Sequence, residues 1–436
     1  MSQHISVQRL CKRRQGEKHT LTVAEALHER KKQKANPKPD HKRVPLEGFK
    51  VITKGEFSWA GTGEQGGIVG LPRKPSCTDI FLALTPDSVV EGMIEKAHET
   101  RQKGVHQITI EEVREYWAVR VYLQTTHKKP LRSNWPLPAE VFGENPMGHS
   151  RFFRLHQLWI PPKAVEQLNL ASEKLVLVPE VINIDEKLKP YEGKSPYKRY
   201  VPNKDPPKGH WITESVIKGK YTGLPYLLNC KPVQQNSGPK MVELYQSSLE
   251  RIAPSQKKGI VVVTDAYYMD DASRLWLRGE GFKYLAAINS SRFQEVWEPL
   301  QLKVKKPGQW VVAWNQQTEE AAYVYWDPER GRQYLLTNAF KYQKKGGEMK
   351  RPPFEDVYAL FFNGCDRCNH FLANKGWPYR RKGWRYSFDD FHFSSIVWNT
   401  YVLYHECYAI AKNIDWDVFC KKLAIELWQQ CVASRK

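Results

Sequence analysis

The sequence predicts a mixed α/β fold, with a sheet layered on both sides and helical regions before and after it. Three observations predict this. Ile260-Val261-Val262-Val263 is a run of β-branched residues with no polar alternation, which marks a strand buried on both faces in the middle of a sheet. Strand-like and helix-like stretches alternate around that run, the order of an α/β sheet. Between Asp79 and Tyr122, and again after Phe388, apolar residues recur at helical spacing instead.

Residues 1–50 are polar and carry basic clusters at Lys12-Arg13-Arg14, Arg30-Lys31-Lys32-Gln33-Lys34 and Lys42-Arg43. Such a stretch cannot bury enough apolar surface to fold, so it reads as disordered, with Leu21–Leu27 as a short helix at most. Two basic clusters with a spacer resemble a nuclear import signal or a DNA-contacting arm. Gly61–Gly67 reads as a flexible linker. No buried strand leads into it and no Lys-Ser/Thr ends it, so it is not a phosphate loop. Val89, Met93, Ile94 and Ala97 then share one helical face. Thr109-Ile110-Glu111-Glu112 is a helix start, with a capping Thr and Glu where the macrodipole favours it. Met147–Trp159 mixes cations with aromatics. It either buries Phe152, Leu155 and Trp159 with Arg151 and Arg154 snorkelling, or lays those two cations along a DNA backbone.

Val181–Glu186 is a short strand ending in Asp185 and Glu186, expected as a structural pair that hydrogen-bonds the following turn. Lys194, Lys198, Arg199 and Lys204 are interleaved with aromatics on a Pro-broken path, which suits a groove that tracks a nucleic-acid backbone. His210–Ile217 and Tyr226–Leu228 are strands, and Val242–Ile252 is a helix leading into the 260–263 strand. That strand ends on Asp265, at the edge where open α/β sheets place their chemistry. Asp265 is either a functional carboxylate or a cap for the next turn. Asp270, Asp271 and Ser273 open an amphipathic helix. Phe282–Ile288, Trp310–Trp314, Ala322–Trp326 and Gln333–Thr337 are further strands. Asp366 follows Gly364, and Arg380, Arg381 and Lys382 begin a cationic stretch. Phe388–Tyr404 and the Phe419, Leu423, Leu427 stripe are the closing helices.

The 436 residues suggest several domains. With 67 Lys and Arg against 47 Asp and Glu, the net charge is +20. That excess favours a polyanionic partner, most simply nucleic acid, with an acidic membrane surface as the alternative. No apolar run reaches the ~18–20 residues of a membrane span, and the first residues lack the apolar core of a signal peptide. An intracellular location and free thiols are expected for the eight Cys. One C-x-x-C, Cys365 and Cys368, has no second pair at zinc-finger spacing, so no zinc is expected.

Five blocks, in order, resemble the piggyBac-type transposases and their domesticated derivatives. Met147–Trp159 resembles the family's M-x-x-x-R-F helix. Ile184-Asp185-Glu186, Gly193-Lys194 and Tyr200-Val201-Pro202-Asn203-Lys204 resemble I-D-E…G-R…Y-x-P-x-K-P. Thr264-Asp265-Ala266-Tyr267-Tyr268 resembles D-N-F-F-T-S, Ala286–Arg292 stands at G-T-x-R-x-N-R, and Gly364-Cys365-Asp366 resembles G-V-D. The resemblance covers roughly residues 76 to 430 of the chain.

The resemblance implies a ribonuclease-H-like mixed-sheet catalytic core flanked by N-terminal and C-terminal helical regions. The implied organisation is a disordered basic tail and linker at 1–75, a helical DNA-binding and dimerisation region at 76–178, the core at 179–370, and a C-terminal helical region at 371–436 that packs with the N-terminal helices. It implies a nuclear, homodimeric protein on double-stranded DNA, which excises DNA and reinserts it at TTAA with two Mg²⁺ ions on three acids. Asp265 and Asp366 match the second and third acids. On the strand after the basic block Glu214, followed by Ser215, takes the first position if the preceding loop is shorter than the family's. Arg151, Arg154, Lys194, Lys198, Arg199, Lys204, Arg380, Arg381 and Lys382 are the implied DNA contacts. A Glu at the first position, Asn369 where the family has a further Asp, and the missing Cys-rich module are departures. They leave two expectations open: a metal-dependent transposase, or a domesticated DNA-binding protein that has lost catalysis.

Overall fold

The computed structural model describes residues 48–434 apart from 62–65, 100–107, 127–129, 144–145, 202–206, 234–240, 250, 253, 380 and 409–413. The basic clusters of the N-terminal tail, Lys204 and Arg380 therefore lie outside the described residues. The stretch expected as linker contains regular structure. Strands β1 (Lys50–Val51), β2 (Lys54–Trp59) and β3 (Gly67–Ile68) lie before the first described helices. Phe57 and Trp59 alternate along β2 and supply its apolar side, a signal too short to read in a Lys- and Gly-rich stretch.

Helices α1 (Cys77–Leu84), α2 (Asp87–Glu99), α3 (Ile110–Leu123), α4 (His149–Leu155) and α5 (Pro162–Lys174) come next. Their starts are chemically fixed. Ser76 accepts the Asp79 N–H while Asp79 accepts the Ser76 N–H, and Thr109 accepts the N–H of Glu112. The central section then runs β4 (Val176–Leu177), β5 (Val181–Pro190), β6 (Lys198–Tyr200), β7 (Lys208–Lys218), β8 (Pro225–Pro232), α6 (Met241–Leu249), β9 (Val261–Thr264), α7 (Asp271–Gly279), β10 (Lys283–Ala287) and α8 (Gln294–Gln301). An antiparallel meander comes after it: β11 (Trp310–Asn315), β12 (Glu320–Asp327), β13 (Gly331–Thr337) and β14 (Phe340–Glu348). The last helices are α9 (Phe354–Phe362), α10 (Gly364–Lys375), α11 (Trp384–Cys407) and α12 (Trp416–Ala433). No described helix is long and apolar enough to cross a membrane.

Ten strands form one mixed sheet in the order β1-β11-β12-β13-β10-β9-β5-β7-β6, with β8 also paired to β7. β2 pairs with β14, and β3 with β4. β9 lies between β10 and β5 and runs parallel to both. Val261 and Val263 enter one core with Leu285, Tyr323 and Phe354, while Ile260 and Val262 enter the other. The run of β-branched residues is thus buried on both faces, as its composition predicts.

The helices of the two ends pack together, α3 on α12 and α1 on α11. A buried ionic network ties them. Arg120 of α3 donates to Asp389 and Asp390 of α11 at 2.7 Å each. Arg381 donates from Nε to Asp390 at 2.9 Å, contacts Asp389, and reaches the His156 carbonyl at 2.8 Å. Asp389 also accepts the Ile160 N–H at 3.0 Å. Arg381, expected on DNA beside Lys382, has its guanidinium committed inside the fold. The run of like charges from 380 to 382 hid that its middle member faces two acids of the next helix.

Candidate metal and nucleic-acid site

The parallel pairing of β5 and β9 sets Ile184 opposite Thr264, so Asp185 and Glu186 stand beside Asp265 at the end of the shorter strand. Ligand oxygens of these three acids lie within 4.8 Å of one another. Asp185 and Glu186 are buried and Asp265 is half-buried. Asp185 accepts the N–H of Glu186 at 2.7 Å. Burial, then Glu186, then Asp265 push the Asp185 carboxyl well above the usual carboxylate range. Asp265 accepts the N–H of Tyr267 at 2.9 Å, so it caps its turn as well as joining the acidic group. Arg292 clasps that turn by donating to the carbonyls of Ala266, Tyr267 and Met269 at 2.9, 3.1 and 2.7 Å.

These positions correct one expectation. Asp185 and Glu186 are not merely a strand-end structural pair, because β5 continues to Pro190 and carries them against Asp265. Glu214 is not in the group. β7 is separated from β9 by β5, two strand spacings or ~10 Å. Glu214 is fully buried opposite Asp185 in the register, with Lys187 and Asn369 beside it. Burial raises its pKa to about 7, opposed by Lys187 and Asn369 and aided by Asp366 and Glu186. Asp366 lies exposed in the first turn of α10. That helix docks through Asn183 of β5, which accepts the Cys365 N–H at 2.9 Å and donates to the Val263 carbonyl at 3.2 Å. Asp366 is therefore held near the acidic group but outside its 4.8 Å circle, and the Tyr358 hydroxyl of α9 feels Asp265, Asp185 and Asp366 alike.

Asp185 and Glu186 carried a readable signal: two adjacent carboxylates that follow the strand-like Val181-Ile182-Asn183-Ile184 with no cation before Lys187. Which strand would pair with β9 was not readable, and pairing decides which acids meet.

The basic residues divide. Arg199 of β6 lies over the Trp211 ring at 5.2 Å, and Trp211 meets Tyr267 at 5.3 Å, so this cation comes to the Asp265 turn. Burial pulls its pKa down, against the hydrogen bond and charge of Tyr267. Lys194, Arg154 and Lys382 are exposed. Lys198 donates to the Glu192 carbonyl at 2.7 Å, and Arg151 pairs with Glu112. Cys365 and Cys368 are buried free thiols that face the core.

Three carboxylates of one sign, two of them buried, are a donor set for a hard divalent cation. Asp185, Glu186 and Asp265 would hold it, and burial together with the two neighbouring carboxylates already disfavours a bare charge on Asp185.

No family model matches the chain, and no curated protein matches it in sequence. Among solved structures, it is similar to a piggyBac transposase in a cryo-EM synaptic complex with hairpin DNA, with a TM-score of 0.66 and 15% identity over 83% of this chain and 81% of that one. At that identity the likeness speaks for the fold alone: over most of its length, this chain is folded like that transposase.

Proposed function

We propose that the protein is a transposase-type DNA-processing protein, which binds duplex DNA and displaces a phosphodiester with the help of divalent cations at Asp185, Glu186 and Asp265. The observation that carries this reading is the meeting of three carboxylates at adjacent strands, in a fold shared with a DNA-bound transposase. Divalent cations bound there supply charge to a phosphoryl oxygen and to the leaving oxygen. The chain's own residues hold the place. Asp185 and Glu186 sit on a strand fixed on both sides, and Arg292 clamps the turn that carries Asp265. Arg199 brings a guanidinium beside that turn, where a phosphate is recognised. Lys194, Lys198, Arg154 and Lys382 extend the cationic path, and the basic tail suits nuclear import. The ribonuclease-H-like core, Mg²⁺ as the natural ion and a homodimer belong to the same reading.

A second reading, an inactive DNA-binding derivative, is favoured by the sealed carboxylate of Glu214 and the exposed Asp366 outside the acidic group. Nicking of supercoiled DNA with Mn²⁺ separates the two. Nicking by wild type that Asp265→Asn and Asp185→Asn abolish, with unchanged DNA affinity, supports the first. Binding that weakens steeply with salt but no nicking leaves the second. Affinity indifferent to salt sinks both.

A further inference from the structure

Away from the acidic group, α5, α6, the end of β8 and the start of α11 enclose a cavity of about 570 Å³, the size of a small-ligand site. We propose that it binds a nucleobase with a single attached phosphate. One wall is aromatic. Trp384 lies 6.2 Å from Trp159, 5.5 Å from Tyr197 and 6.1 Å from Phe388, and Tyr197 lies 5.1 Å from Phe388. Phe388 is in turn stacked on His210 at 4.4 Å, so the wall is braced from behind. Such rings hold any base by stacking, with little regard to sequence.

The rest of the lining is polar toward the mouth. His392 is buried, its Nδ1 is 3.5 Å from the Cys230 sulfur, and its Nε2 has no hydrogen-bond partner among the described residues. Burial pulls its pKa down to about 4, so behind the wall it is a neutral ring, sealed from solvent, that leaves the floor of the cavity uncharged. Lys231 and Arg251 line the cavity as cations, and Glu166 and Glu243 as anions. Two charges of each sign disfavour a polyphosphate. Arg251 already faces Glu173 at 3.7 Å, which leaves exposed Lys231 as the partner for one phosphate.

The cavity is joined to the acidic group by one short run. Tyr197 is in its wall, and Arg199, two residues on, stacks on Trp211 against Tyr267 of the Asp265 turn. If that run tracks a DNA strand, as the proposed function has it, a base swung out of the strand reaches the cavity. The same chemistry would take a free nucleotide, and the test separates the two sources.

The full-length protein is titrated with two duplexes that differ only in an extrahelical 2-aminopurine, and with dAMP by calorimetry. The expected result is quenching of the extrahelical base and binding about tenfold tighter than the fully paired duplex, the worth of stacking one base. Ser247→Trp, which fills the cavity from α6, abolishes the quenching and the preference while paired-duplex affinity stays. Lys231→Ala weakens the preference and keeps the quenching. Heat from dAMP, lost in Ser247→Trp, with no duplex preference makes the cavity a site for free nucleotide. If dAMP binds and neither duplex does, the DNA reading falls and the pocket stands. No preference, no quenching and no dAMP heat in wild type overturn the proposal.

Discussion

Around Arg120, two arginines face two aspartates in the interior of the helical region, and every one of these groups has an opposite charge within hydrogen-bond reach. Around Asp265, three carboxylates face one another at the carboxyl end of the central strand β9. Both clusters are largely buried, and they differ in what they gather: opposite charges in the first, carboxylates in the second. The difference shows in the acids themselves. Burial would raise Asp389, but Arg120 and Arg381 outweigh it and hold its pKa below the usual value. Asp185 is raised by burial, and its neighbours add to the rise. A balanced cluster works as a clamp between elements distant in sequence. Gathered carboxylates make ionisation costly and a divalent cation would lower that cost, and this is the physical reason to look for function at Asp265 and not at Arg120.

The comparison breaks most sharply at the clamp. Arg120→Met leaves two buried aspartates with one arginine between them, and is expected to destabilise the protein by ~3–5 kcal/mol in denaturant unfolding. A loss under ~1 kcal/mol would mean that the clamp is not worth its geometry.

Next is Arg292→Ala, which frees three carbonyls of the Asp265 turn. Mn²⁺ affinity is expected to fall ~10–100-fold, as when a supporting partner of a metal ligand is lost. Unchanged affinity would place the metal elsewhere.

The smallest effect has the opposite sign from the first. Asp185→Asn keeps an acceptor for the Glu186 N–H and removes a buried carboxyl whose ionisation its surroundings oppose, so the metal-free protein should gain about 1 kcal/mol. pH gives the same contrast. Asp185 has a folded pKa above its unfolded one, so the native state binds more protons, and its contribution is lost as pH rises above ~4. Asp389 has a folded pKa below its unfolded one, so its contribution is lost as pH falls below ~4. Metal-free protein with stability flat from pH 5 to 8, in both wild type and Asp185→Asn, would contradict the reading of the acidic group.

The range of each interaction decides how much of the fold and site was legible. The β9 run and the capped starts at Thr109 and Asp270 are written locally, and they stand where their residues predict. The β2–β14 pair joins segments far apart through Phe57, Trp59 and Phe340, with too few apolar residues in either to announce it. Asp265 was legible because it ends a strand whose burial is obvious. Its partners were not, since Glu214 and Asp185 face each other across β5 and β7 and only the order of strands decides which of them lies next to β9. The 380–382 run misled in the same way: charge marks a cation, and only the fold shows that Arg381 has met Asp389 and Asp390.

The most direct measurement is a calorimetric Mn²⁺ titration of wild type and Asp265→Asn, each with saturating duplex DNA. Saturable Mn²⁺ binding to wild type that is lost in Asp265→Asn is the result that a carboxylate site at β5 and β9 predicts. Equal heats from both proteins, or none from either, would contradict it and leave the three acids with a structural role only.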